Sequence, residues 1–234
     1  MSEERLNDFG QPIGYPVEAW VACPHPAAIA LEGRYCILEP LDLERHAGHL
    51  FAAYSADDGR MWTYLPYGPF TNLEDFEAHI ERFAGRDDPQ FYAILDRTSG
   101  RALGVASYLR IDPAMGVIEV GHLAYSPALQ RTAAATEAMY LMMRNAFALG
   151  YRRYEWKCDS FNFPSRAAAE RLGFQHEGTF RQAVVTKGRN RDTAWFSILD
   201  SEWPALRESF ERWLAPGNFD TTGNQLTPLR SPTP

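Results

Sequence analysis

Val117-Ile118-Glu119-Val120-Gly121-His122-Leu123-Ala124-Tyr125-Ser126-Pro127, followed by Gln130-Arg131-Thr132-Ala133-Ala134-Ala135-Thr136-Glu137-Ala138, decides how this chain is read. The first part is an apolar strand, and the second opens a long helix. A helix start carries N–H groups without intrahelical acceptors and the positive end of the helix dipole. It is a natural seat for an anion such as a pyrophosphate. Small side chains at Ala133, Ala134 and Ala135 let a ligand reach the backbone. Arg131 adds a guanidinium fork and Thr132 a hydroxyl donor. The glycine patterns of the Rossmann and P-loop nucleotide folds are absent. A strand–loop–helix turn that binds nothing fits these residues equally well.

Working outward, residues 34–40 read as a first strand. Residues 41–55 form a helix with Leu43, Leu50, Phe51 and Tyr54 on one face. Residues 72–84 form a second helix, capped by Asn72 or Thr71, with Phe76, Ile80 and Phe83 at helical spacing. Strands follow at 90–96, 102–111 and 116–125, the first two joined by a hairpin turn at 97–100. The long helix spans 132–149 and stops at Gly150. A strand at 153–159, a helix at 164–172, short strands at 183–186 and 194–199, and an amphipathic helix at 201–213 complete the plan. This is a mixed α/β (α+β) chain.

The 234 residues suit one domain with a full core. Residues 1–30 form a Pro- and Gly-rich arm expected to pack on the domain through Ile13, Val17, Trp20 and Val21. The domain proper spans 31–214, and 215–234 reads as a disordered tail. A net charge of −7 argues against nucleic acid as a partner. Cys23, Cys36 and Cys158 have no paired spacing, which points to a reducing, cytoplasmic setting. No window is apolar enough for a membrane span, and the acidic start Met1-Ser2-Glu3-Glu4 is unlike a secretion signal.

A second segment adds a family reading. Cys158-Asp159-Ser160-Phe161-Asn162-Phe163-Pro164-Ser165-Arg166 leads to Leu172-Gly173-Phe174, then Glu177-Gly178 and Arg181. A strand, Asn-x-x-Ser at a helix start, and Leu-Gly-Phe before Glu-Gly resemble the GNAT superfamily of acyl-CoA N-acyltransferases, in its RimJ/RimL-like branch. The resemblance covers about residues 31–213. It implies the GNAT fold, a central mixed but mostly antiparallel sheet flanked by helices. It also implies acetyl-CoA as co-substrate, with no metal.

On that resemblance, CoA pyrophosphate binds at Gln130, Arg131, Thr132, Ala133, Ala134, Ala135 and Thr136. Pantetheine pairs with the strand at His122, Leu123 and Ala124 and meets Asn162. Ser165 protonates the leaving thiolate, and Glu119 is the base, its pKa raised by burial in an apolar strand. Helix capping competes as an account of Asn162 and Ser165. A salt-bridge role competes for Glu119. His122 reads as a buried, hydrogen-bonded histidine, placed by strand alternation on the face opposite Glu119. Trp62, Tyr64, Tyr67 and Phe70 form an aromatic wall for the acceptor. His46 and His49 lack a third metal ligand, and Met139, Met142 and Met143 read as core.

There are two departures from the family. Arg131 and Ala133 stand where its pyrophosphate loop has glycine, and φ > 0 is costly for arginine. A second glutamate, expected three residues after Arg181, is replaced by Val184. The expected acceptor is a small-molecule amine or a protein N-terminus, with a homodimer among the assemblies open to the chain. Transfer of another acyl group, such as succinyl, and a non-catalytic CoA-binding module are the alternatives.

Overall fold

The computed structural model describes residues 5–229. The acidic start at residues 1–4 and the last five residues of the expected tail lie outside the described residues. Fifteen elements run in order β1 (Leu31–Glu32), β2 (Cys36–Pro40), α1 (Leu43–Tyr54), a 3-10 turn (Arg60–Trp62), α2 (Leu73–Glu81), β3 (Gln90–Asp96), β4 (Ala102–Asp112), β5 (Val117–Tyr125), α3 (Ala133–Ala148), β6 (Arg153–Asp159), α4 (Phe163–Arg171), β7 (Gln175–Thr186), β8 (Arg189–Leu199), α5 (Trp203–Trp213) and a second 3-10 turn (Pro216–Asn218). The strands form one sheet in the order β1-β2-β3-β4-β5-β6-β8-β7. Every pairing is antiparallel except β5 with β6. Parallel neighbours need a crossover, and α3 supplies it.

Two apolar layers cover the sheet. On one face, Met139, Met142 and Met143 of α3 and Leu206 and Phe210 of α5 pack on Tyr92, Tyr108, Ile118, Val120, Tyr154 and Phe196. On the other, Leu50 and Tyr54 of α1 and Phe76 and Ile80 of α2 pack on Phe91, Ala93, Val105 and Ala124. Among the described residues, no member of this second layer comes from β6, β7 or β8. The β6–β8–β7 part of that face is therefore left uncovered by this layer.

The helix starts follow side-chain capping: Asp42 caps α1, Asn72 caps α2, Thr132 caps α3 and Asn162 caps α4, each accepting a backbone N–H from three residues on. α3 is tied to the opposite edge of the sheet by Glu137. Its buried carboxylate accepts the backbone N–H groups of Arg34 at 2.8 Å, Tyr35 at 2.6 Å and Cys36 at 2.9 Å. Gly33 leaves the space that the carboxylate occupies.

Three expectations are corrected. The arm packs, but mainly by other contacts: Ile13, Val17 and Val21 are exposed, and Cys23 enters the core. Trp20 Nε1 donates to Ala114 O at 2.8 Å, and Gln90 Nε2 donates to Pro26 O at 3.0 Å. The last strands are longer than 183–186 and 194–199, because β7 is an edge strand whose exposed polar residues hide its period. The residues from 216 to 229 are folded back rather than disordered. Phe219 packs against Trp213 at 5.1 Å between ring centroids, and Asp220 Oδ1 accepts the N–H groups of Thr222 and Asn224, both at 2.9 Å. One aromatic anchor and an Asx turn suffice for this. No described helix is long and apolar enough to cross a membrane.

Glu137→Ala leaves three N–H groups at the sheet edge without their acceptor. The expected loss is about 3 kcal/mol or more, since hydrogen bonds to a charged group contribute about 1.5–3 kcal/mol each. Urea denaturation measures it; a loss within error of zero would mean that Glu137 does not hold this edge.

Candidate active site

β5 and β6 pair only from Val117↔Arg153 to Val120↔Trp156. Beyond that point β5 stays on β4 as far as Gly104↔Tyr125, and β6 stays on β8 as far as Asp159↔Thr193. Residues 121–125 and 157–159 thus present facing, unpaired strand edges in the middle of a sheet. The cause is local. Ser107 pairs with Gly121 and Val105 with Ala124, so His122 and Leu123 together oppose Ala106. This is a β-bulge, with His122 at φ +51°.

The bulge corrects the expected orientation of His122. Strict alternation puts it opposite Glu119, yet its ring stacks with Tyr67 at 5.8 Å and 10° and lies 5.0 Å from Phe91, on the α1–α2 face. Glu119 shares that face, because its neighbours Ile118 and Val120 enter the other core. His122 Nδ1 lies 3.2 Å from Tyr67 Oη. Burial first, then the charge of Arg191, lowers the His122 pKa to about 4. Burial likewise lowers His79, against Tyr67 and Phe70, to about 4.

Glu119 is buried and ion-paired. Lys157 Nζ lies 2.8 Å from Glu119 Oε2 and 2.7 Å from Glu155 Oε2, and 3.6 Å from the centre of the Trp195 ring. Arg110 Nε approaches Glu119 Oε2 at 3.5 Å. Arg153 Nε extends the chain of charges to Glu155 at 2.7 Å, and its Nη1 to Glu177 at 2.8 Å. Burial raises the Glu119 pKa, and Lys157 and Arg110 oppose the rise. Lys157 was not singled out in the sequence; the alternation Arg153, Glu155, Lys157, Asp159 was the readable signal, a charged face on a strand whose other face is apolar.

At the start of α3 the expected anion seat has one unusual part. Arg131 lies at φ +61°, in the left-handed region that favours glycine. The Thr132 hydroxyl is occupied: it donates to Leu129 O at 2.7 Å and accepts Ala135 N–H at 3.1 Å, so it is a cap rather than a ready phosphate donor. Gln130 Nε2 turns back to Tyr125 O at 2.8 Å. Ala134 and Thr136 are buried. Ala133 and Ala134 N–H, in the first turn, have no intrahelical acceptor.

Asn162 Oδ1 accepts Ser165 N–H at 3.2 Å, the capping role. Ser165 Oγ accepts Trp156 Nε1–H at 3.1 Å. Burial raises the pKa of the Cys158 thiol. The aromatic wall is only half as expected. Trp62 is buried in the second core, edge-on to Tyr54 at 5.3 Å and Phe70 at 5.4 Å, because Gly68 at φ +67° folds the loop onto its ring. Phe70 lies against Phe76. Tyr64 is half-buried, and Tyr67 packs among His79, Phe83 and His122. Tyr64 Oη donates to Phe161 O at 3.0 Å, and Lys187 Nζ donates to Trp62 O at 2.8 Å. These bonds tie the loop to the turn between β6 and α4 and to the β7–β8 turn.

The fold, a mixed sheet with one parallel pair, is one this chain shares with solved acetyltransferase structures. A family model described as "Acetyltransferase (GNAT) domain" matches residues 36–175, and the chain belongs to the GNAT acetyltransferase family. It is similar to a GCN5-related N-acetyltransferase from Brucella melitensis at 49% identity, over 91% of this chain and 97% of that one, with a TM-score of 0.89. It is 27% identical over 154 residues to "Uncharacterized N-acetyltransferase p20" of Bacillus licheniformis, covering 62% of this chain and 84% of that protein. A RimL ribosomal L7/L12 α-N-protein acetyltransferase, at 21% identity over 73% of this chain and 93% of that one, shares the fold with a TM-score of 0.63.

His79 is neutral in the fold, with a pKa of about 4 against an ordinary 6.5. Below pH 6.5 the unfolded state binds the proton first, so stability falls as pH drops towards 4. His79→Phe keeps a ring and removes the titration. Thermal melts at pH 7 and pH 4.5 are expected to show a fall smaller by about 2 kcal/mol in the variant; equal falls would remove His79 from the account.

Proposed function

We propose that this acetyltransferase moves an acetyl group from acetyl-CoA to a primary amine by direct attack in a ternary complex. The observation that carries the reading is the parting of β5 and β6 beside the start of α3, with Glu119 and Ser165 on elements that flank it. Pyrophosphate takes the N–H groups of Ala133 and Ala134 and the guanidinium of Arg131. Pantetheine fills the gap by pairing with the open edge at 121–125.

Glu119 takes the proton of the attacking ammonium or amine, directly or through a water. The amine nitrogen bonds to the thioester carbon, the C–S bond breaks, and the thiolate takes the Ser165 proton; solvent reprotonates Ser165, and Glu119 gives its proton back to solvent. An indole N–H already bonded to Ser165 Oγ strengthens that hydroxyl as a donor. Cys158, held as a thiol by burial, does not act as an acyl carrier. The two bonds that tie down the 62–70 loop favour a compact amine over an extended protein terminus. With three free cysteines, we place the reaction in the cytoplasm.

Glu119→Gln and Ser165→Ala are each expected to lower kcat roughly 10²-fold or more with the best amine of a screen. Because burial holds Glu119 above the ordinary carboxylate range, kcat/KM falls as pH drops through that raised value, and Glu119→Gln flattens this limb. Unchanged turnover in both variants would sink the mechanism. Calorimetry with acetyl-CoA, with Arg131→Glu as control, tests the cofactor seat separately. Binding weakened tenfold or more in the control is expected; no binding by the parent protein would remove CoA from the account.

A further inference from the structure

Arg191, Thr193 and Trp195 alternate along β8 and so share one face of the sheet. It is the face of Lys157 and Glu119, since Trp195 stands opposite Lys157 and Thr193 opposite Asp159 in the β6–β8 register. The helices α1 and α2 do not cover this region. Yet Arg191 Nε, Thr193 Oγ1 and Trp195 Nε1 are all buried, and none has a hydrogen-bond partner among the described residues. Thr193 is 5% exposed. No carboxylate of the described residues pairs with Arg191. Asp159, opposite Thr193 in the register, accepts Phe161 N–H at 2.9 Å, and Asp192, next to Arg191 in the chain, accepts Gln182 N–H at 2.7 Å.

Three orphaned polar groups in a row are unusual, because buried donors are nearly always satisfied. A half-buried guanidinium without an anion is costlier still. Arg191 also lies close enough to His122 and Cys158 for its charge to act on both. Those residues stand on the two edges of the gap between β5 and β6. Arg and Trp side chains donate and do not accept. The complement of this row is therefore rich in acceptors and negatively charged.

We infer that Arg191 and Thr193 form a subsite for a carboxylate carried by one of the two reactants. Trp195 N–H, one pleat further in beside Lys157, takes another oxygen of the same molecule. The carboxylate has two sources: an acceptor with the carboxylate next to its amine, or an acyl chain ending in one. The inference rests on the acetyl-transfer reading only for what the reactants are, so its test reads binding and not turnover alone.

The acceptor arm titrates the protein with phenylalanine and phenylalaninamide, and with their N-acetyl products. The acyl arm titrates succinyl-CoA against acetyl-CoA. The parent protein is expected to favour the carboxylate member of one arm about tenfold or more, as charge-assisted bonds do; the arm that responds names the source. Arg191→Met should bring that member down to the level of its neutral counterpart. Thr193→Val, which keeps the β-branched shape, should lower it in part. Melting curves establish that both variants fold. No preference in either arm, or one that survives both substitutions, overturns the subsite. Failure of acetyl-CoA to bind strikes the acetyl-transfer reading instead and leaves the acceptor arm decisive.

Discussion

Two parallel strands that pair for four residues and then part are the constraint on which the rest of this molecule depends. Backbone N–H and C=O groups inside a sheet demand partners, and here two edges go without them at its centre. Such a gap persists only because each strand is held from its far side, β5 by β4 and β6 by β8. The bulge at His122 starts the divergence, and its left-handed backbone is a cost that Tyr67, Phe83 and Phe91 offset by enclosing the ring. Everything proposed for the reaction uses that opening: a pyrophosphate at one end, a base on one face, an acid on the flanking helix.

The charged face beside it has its own logic. Lys157 is nearly as buried as the two carboxylates it joins, with side-chain exposures of 5%, 7% and 9% for Lys157, Glu119 and Glu155. Removing one partner from such a set costs far more than the set contributes, because a buried charge is left alone. A carboxylate positioned this way, as Glu119 is, is fixed in place by an ammonium that also restrains its pKa. The face can hold these groups because the α1–α2 layer ends at β5.

Much of this was legible in the sequence, and the failures have physical causes. Strands 90–96 and 153–159 were readable to the residue, since turn residues bound them on both sides. The Asn72 cap was readable because its side chain does the same work in any fold. The face of His122 was not, because a bulge breaks the period of two and leaves no mark in composition. Trp62 reads as part of an aromatic wall, yet Gly68 folds the loop so that the ring becomes core. The Phe219 anchor was hidden among Pro, Gly, Asn and Thr. The row at 191, 193 and 195 needs burial to become visible, since nothing in the residue types says that their partners are missing.

The two ties across the cleft, Tyr64 to Phe161 and Lys187 to Trp62, end on main-chain carbonyls. A carbonyl is supplied by any residue, so the closure specifies only its two donors. Phe161, 62% exposed, is thus free to vary in side chain while its carbonyl still anchors the loop. Position and side-chain identity are uncoupled there: the loop stays anchored whatever residue 161 carries.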